Sequence, residues 1–182
     1  MNKDKLISET VLIAVMSAAA AVGRIAFAAL PYVKPTTAIV IITGLALGKK
    51  AGLLTGMFAA LISNFYFGQG LWTPFQMAAW GIIGLLAGCM NKFDFDSKIG
   101  AVTAAAFGAV SAYAYGFMMN LFYIGFYIRP LTVASVLAAL GASLLMDSVH
   151  AVSTVVFLLL LTRIWLRKLR RIQVKLINGD PA

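Results

Sequence analysis

The sequence predicts an all-α integral membrane protein, a bundle of six transmembrane helices with the N- and C-termini cytoplasmic. Three observations predict it. Of 182 residues, 62% are hydrophobic and 12% charged, and the mean hydropathy is +0.92, far above that of a soluble globule. A spanning helix needs about 20 largely apolar residues, so six spans with short connections nearly exhaust the chain and leave no room for a separate soluble domain. Finally, the basic residues sit at the ends of the apolar segments, which turns a net charge of +9 into a topology signal rather than a nucleic-acid signature.

The first span is expected at about 10–30. Ala26-Phe27-Ala28 resembles a signal-peptide cleavage site, but Asp4 and Glu9 spoil a cationic leader and Arg24 lies just before the supposed cut, so the segment reads as a retained helix. Pro31 and Pro35 bracket an irregular loop containing Tyr32 and Lys34. A short second span, 37–47, ends at Lys49-Lys50, and a third covers 51–65. The fourth, 74–90, opens at Pro74, a residue suited to a helix start. After the charged connector NKFDFDSK comes a fifth span at 99–126, within a charge-free run longer than one crossing needs, so it tilts or projects. Arg129-Pro130 breaks it. The last apolar region is also overlong: a short separate helix is expected to precede the sixth span, 140–162. Residues 163–177 form a basic tail in which Trp165, Leu169, Ile172 and Leu176 share a face, as in an interfacial amphipathic helix.

With the N-terminus inside, twelve Lys and Arg residues fall on the inner side, and only Arg24, Lys34 and Arg129 fall outside. The outer connections are the longer, more aromatic ones. Among them Asn64–Trp80, NFYFGQGLWTPFQMAAW, has no charge and gathers aromatics with Asn64, Gln69 and Gln76. An interfacial aromatic belt accounts for Tyr66 and Trp72, but not for the amides, which favour the wall of a binding site.

Polar residues near the outer helix ends are the remaining candidates for that site: Arg24, Asn64, Gln76, Asn120, Asp147 and His150. A charge at the bilayer centre costs about 2.5–3.5 kcal/mol on insertion scales, so Arg24 and Asp147 are expected to face a protein interior or a wet cavity, paired with each other or with a ligand. Tyr32, Tyr66, Gln69, Trp72, Trp80, Tyr123 and Arg129 complete the outer candidate set.

Catalytic readings fare poorly. Asp147, His150 and Ser153 share a stripe of the last helix, but one helix does not give a serine triad its geometry, and no GxSxG elbow supplies an oxyanion hole. One Cys and one His leave no Cys/His metal cluster. GLALGKK (Gly44–Lys50) has one residue too few for a P-loop, and no Ser or Thr follows Lys49. The expectation is a chain that is no enzyme, holds no cofactor or metal, and takes its energy from a partner.

Small residues recur every fourth position: Gly44, Gly48, Gly52 and Gly56; Gly84 and Gly88; and a third series from Gly100 to Gly116. Such spacing places them on one face, where helix backbones approach closely. The first helix is smoother still, with Ala14 and Ala18 inside an alanine-rich run.

Six spans in under 200 residues, an Ala14-xxx-Ala18 pattern in the first helix, and the stretches Thr73–Gly88 and Asp147–Phe157 resemble the substrate-binding S components of energy-coupling factor (ECF) vitamin transporters. The sequence is most similar to the cobalamin-specific members. The resemblance implies a prokaryotic cytoplasmic-membrane subunit that captures a vitamin at the outer face. It also implies partners, a transmembrane coupling (T) subunit contacted by Ala14 and Ala18 and two ATPase subunits, with cobalamin as transported ligand. Pantothenate, folate or a queuine-like purine are the alternatives within the family. A stand-alone permease and a membrane-embedded enzyme using Asp147 and His150 are the alternatives outside it.

Overall fold

The computed structural model describes residues 3–95 and 97–178; Asp96 of the charged connector lies outside them, as do the side chains of Lys3, Asp4, Lys5, Leu176, Ile177 and Asn178. Six α-helices follow in order: α1 (Lys3–Ala26), α2 (Thr36–Leu47), α3 (Lys49–Phe67), α4 (Trp72–Cys89), α5 (Lys98–Tyr127) and α6 (Val133–Asn178). Segments of three of them, Leu6–Ala26, Lys98–Tyr127 and Val133–Lys175, are long and apolar enough to cross a membrane.

The middle of the bundle is α2. Every residue from Thr36 to Ala46 is buried, so this helix is apolar all round and has no solvent or lipid face. Its hydroxyls are satisfied internally: Thr43 Oγ1 donates to Ile39 O at 2.8 Å, and Thr36 Oγ1 to Ala20 O at 3.1 Å. The other helices surround it, and their outward faces are studded with exposed Val, Leu, Ile and Phe, among them Val15, Ile82, Leu86 and Val110. Such a surface would aggregate in water and is what a helix offers to lipid tails.

Glycines set the closest contact. At Gly48, φ is +94°, a backbone that suits glycine and lets α2 turn straight into α3. Gly52 and Gly84 then bring α3 and α4 so near that a Cβ on either would run into the other's carbonyl. A Cβ at Gly44 would meet Ala87 Cβ at 2.9 Å, so the two glycine series of α2–α3 and α4 face each other. The third series packs α5 on α6, with Gly108 beneath Leu158 and Thr154.

Several boundaries differ from those the sequence suggested. Pro74 does not open α4; the helix begins two residues earlier at Trp72, and Pro74 sits in the first turn, where its missing N–H has no intrahelical partner to lose. No separate helix precedes the sixth apolar segment, because α6 runs unbroken for 46 residues, roughly 69 Å at 1.5 Å per residue. The basic tail is the last part of that same helix. Leu166 and Leu169 are buried in the core, and Arg170 Nη2 donates to Leu45 O and Asn91 O at 3.5 and 3.1 Å. The tail is thus fastened against the α2–α3 and α4–α5 turns rather than lying free on a surface, with Ile172 still exposed. Glu9 pairs with Lys50 at the same end, 3.2 Å apart.

Candidate functional site

At the opposite end of the bundle the helices open into a cavity of about 570 Å³. Every helix except α2 contributes to its lining, and the loop leading into α2 supplies Tyr32 and Lys34. The site is built in three groups.

The first group is a hydrogen-bonded hub at the ends of α1, α3 and α4. Arg24 Nη1 donates to Ser63 Oγ at 2.7 Å and to Asn64 Oδ1 at 2.8 Å. Asn64, fully buried, spends its amide protons on Thr73 Oγ1 and Gln76 Oε1, both at 2.9 Å. Thr73 Oγ1 in turn donates to Gln69 Oε1 at 3.0 Å, and Gln69 Nε2 closes the last turn of α3 on Leu61 O. The helical period does the sorting here. Asn64, Thr73, Gln76 and Trp80 point inward, while Phe65 and Tyr66 are 77% and 65% exposed.

The second group is aromatic. Trp80, fully buried, stacks on Tyr115 with centroids 4.6 Å apart, and Tyr115 meets the His150 ring edge-on at 5.4 Å. Trp80 Nε1 donates to Thr37 Oγ1 at 3.0 Å, leaving the Thr37 hydroxyl proton for His150 Nε2 at 2.9 Å. This relay suits a neutral imidazole accepting at Nε2. The Arg24 guanidinium carbon lies 4.8 Å from the Phe67 ring centroid and 5.1 Å from that of Trp80. Lys34 Nζ is 5.8 Å from the Tyr32 and Trp80 centroids. Cations over ring faces at these distances are attracted by the ring quadrupole.

The third group lies on α5 and α6. Asn120 Nδ2 donates to Ser143 Oγ at 2.6 Å, and Ser143 Oγ to Asp147 Oδ2 at 3.0 Å. Gly116 makes room for the Asp147 carboxylate; any Cβ there would collide with it. One stripe of α6 thus addresses three different partners, since Ser153 Oγ accepts from Lys34 N at 3.0 Å and fastens the loop before α2.

The cavity therefore gathers seven of the expected residues: Arg24, Tyr32, Gln76, Asn120, Tyr123, Asp147 and His150. Asn64 and Trp80 stand one layer behind it. Of the Asn64–Trp80 stretch, Phe67 and Gln76 line the cavity and the other rings do not, for a physical reason: all but residues 68–71 is helical, so its rings alternate between bundle and surroundings. Tyr66 is outward, the Trp72 ring folds over Gly70, and Gln69 is a helix-end residue, none of them lining the cavity. Arg129 instead ties down the end of α5 through Ile128 O and Gly125 O. Arg24 and Asp147 do not pair; neutral oxygens hold the one and a hydroxyl the other. Among the described residues, no cluster of three His, Cys, Asp or Glu side chains could hold a metal ion.

Sequence reasoning missed Lys34, Phe67, Tyr115, Met119, Ser143 and Met146. Some signal was there. Tyr115 and Met119 lie eight and four residues before Tyr123 on α5, and Ser143 lies one turn before Asp147.

The exposed alanines Ala14 and Ala18 lie on α1 away from the cavity, and Ala14 borders an apolar groove between α1 and α3. Ala20 and Ala21 of the same run are buried against the bundle.

The family model described as ECF transporter, substrate-specific component, matches residues 8–167. Neither the curated proteins nor the solved structures give a match. Proteins of this kind are substrate-binding membrane subunits of ECF importers that work with a T component and ATPases. With nearly the whole helical bundle inside the matched region, this chain belongs to the ECF transporter substrate-specific component family.

Proposed function

We propose that this chain captures a vitamin-class micronutrient in the cavity between α1, α3, α4, α5 and α6 and delivers it inward with a coupling subunit and two ATPases. The observation that carries this reading is the cavity's position. It opens at the end of the bundle opposite Lys49, Lys50, Lys92 and the basic tail, and it gathers convergent polar groups on an aromatic floor. The positive-inside rule then orients it outward, with both termini cytoplasmic and all six helices embedded in the plasma membrane of a prokaryote. On its own α2 measures roughly 18 Å, short of a hydrocarbon core of about 30 Å, and it relies on its neighbours to be sheltered.

The volume lies within the range of about 300–1,000 Å³ that holds drug-sized ligands, which suits a compact vitamin better than a whole corrinoid. Cobalamin, the substrate implied by the resemblance, would enter by its amide rim alone. The test is thermal stabilisation and equilibrium binding of the purified chain in detergent with cobalamin, pantothenate and folate. Saturable binding of one of them, weakened by Gln76→Ala or Asp147→Asn, is the expected result. Failure of a folded chain to bind any vitamin in a broader screen would sink the capture reading.

Ala14→Trp with Ala18→Trp is expected to abolish uptake in cells while leaving ligand affinity unchanged, because both side chains are exposed and remote from the cavity. Unimpaired uptake by this double variant, or uptake by the chain in cells lacking any ECF ATPase, would favour a stand-alone permease instead.

A further inference from the structure

We propose that the captured ligand is a compact organic anion, a ring compound carrying a carboxylate or phosphate group, and that Lys34 with Arg24 supplies its counter-charge; this rests on the cavity being the capture site.

Two cations line one side of the cavity, and neither meets a carboxylate at ion-pair distance among the described residues. Arg24 is anchored through Nη1 alone, and by neutral oxygens, so its remaining N–H groups stay uncommitted. Lys34 is held by its backbone, Lys34 N donating to Ser153 Oγ, while its ammonium stands over the rings of Tyr32 and Trp80. Hydrogen bonds to neutral groups and ring quadrupoles offset only part of the cost of gathering two positive charges in a site of low dielectric. A charge left in that condition at a cavity wall calls for an opposite charge from the ligand. The acidic group of the lining, Asp147, is not paired with either cation but tied to Ser143 and seated against Gly116, which leaves it for the part of the ligand that donates hydrogen bonds. The same lining holds Tyr115, stacked on Trp80, and Tyr123, which suit a ring.

The titration of Lys34 agrees with this. Burial, reinforced by the nearby Arg24, brings its ammonium down to about 7, so the empty cavity sheds part of its charge near neutrality. A bound anion favours the charged form and raises that value, so binding takes up a proton above about pH 7 and affinity falls as pH rises. The other charged or titratable groups facing the site are Arg24 on α1, Tyr32 in the loop, Tyr115 on α5, and Asp147 and His150 on α6.

The experiment incubates the purified full-length chain in detergent with the dialysable fraction of yeast extract, washes it, and identifies retained compounds by mass spectrometry after denaturation. Methyl esterification marks carboxylates, and alkaline phosphatase marks phosphate esters. The expected result is enrichment of one anionic ring compound by the native chain and its loss in Lys34→Met. That variant should melt no lower than the native chain, since it removes an uncompensated cation; Lys34→Gln serves if Lys34→Met does not fold. Enrichment of a neutral or cationic compound overturns the proposal and leaves the capture site standing. Retention of the same anion unchanged by both Lys34→Met and Arg24→Gln also overturns it. No enrichment on a folded native chain overturns the capture reading itself.

Discussion

Gly84→Ala, a single added methyl, is expected to lower the stability of this protein by more than about 3 kcal/mol and to deplete it from membranes. A Cβ at Gly84 would meet Gly52 O, Gly52 C and, at 3.0 Å, Gly52 Cα. Those are backbone atoms. They cannot rotate aside as a side chain would, so α3 and α4 must separate, and packing between close backbones is the main attraction holding membrane helices together. The damage reaches the site, because the same helix pair carries Asn64 and Gln76. Gly125→Ala and Gly141→Ala are the controls: a Cβ at either meets nothing within 4 Å, and both lie on helices, where alanine is worth up to about 1 kcal/mol over glycine. Thermal melts in detergent would check the series. A Gly84→Ala protein melting with the native one would show that the two backbones are not in contact.

Asn64→Leu is expected to cost about 2–4 kcal/mol and to end ligand retention even in the folded fraction. The side chain is fully buried and joins Arg24, Thr73 and Gln76, so leucine fills much of its space while leaving a guanidinium and an amide short of partners. Asn64→Asp separates placement from charge. The carboxylate still accepts from Arg24, and it takes a proton from a rotated Thr73 hydroxyl and a flipped Gln76 amide where Asn64 donated to both; it neutralises the cation from within, so the protein should stay folded and lose its anion. Melting and retention measured on the same samples check this pair. An aspartate variant that retains the anion as well as the native chain would mean that Arg24 contributes no counter-charge.

Much of the bundle was legible because membrane sequences are written under few constraints. Apolar runs bounded by prolines and charged turns marked six helical segments, and the four-residue glycine spacing marked the faces on which α2, α3 and α4 meet. Where boundaries slipped, local rules were outvoted. Pro74 was tolerated inside a first turn, and Thr132–Ala139, which could have formed a separate helix, is taken up almost entirely into α6 because nothing in that run breaks hydrogen bonding.

The candidate site was legible only in part. Arg24, Gln76, Asn120, Asp147 and His150 announced themselves as polar groups in apolar helices, where each needs a partner or a cavity. Lys34 did not. In the sequence it was one of three outer cations, an ordinary loop residue between two prolines. Tyr115 and Phe67 looked like any aromatic in a transmembrane segment.

By itself, then, the sequence determined that the chain is an apolar helical bundle, which residues are too polar to face lipid, and where small residues let helices close up. Hydropathy and helical period are local properties, readable one segment at a time. Only the tertiary structure decided that Arg24 is held by Ser63 and Asn64 and not by Asp147, that Lys34 stands over Trp80, and that the aromatic stretch turns most of its rings away. Those are distances between different helices, set by how α2 is enclosed and how α5 and α6 lean together, and no spacing along one segment encodes them.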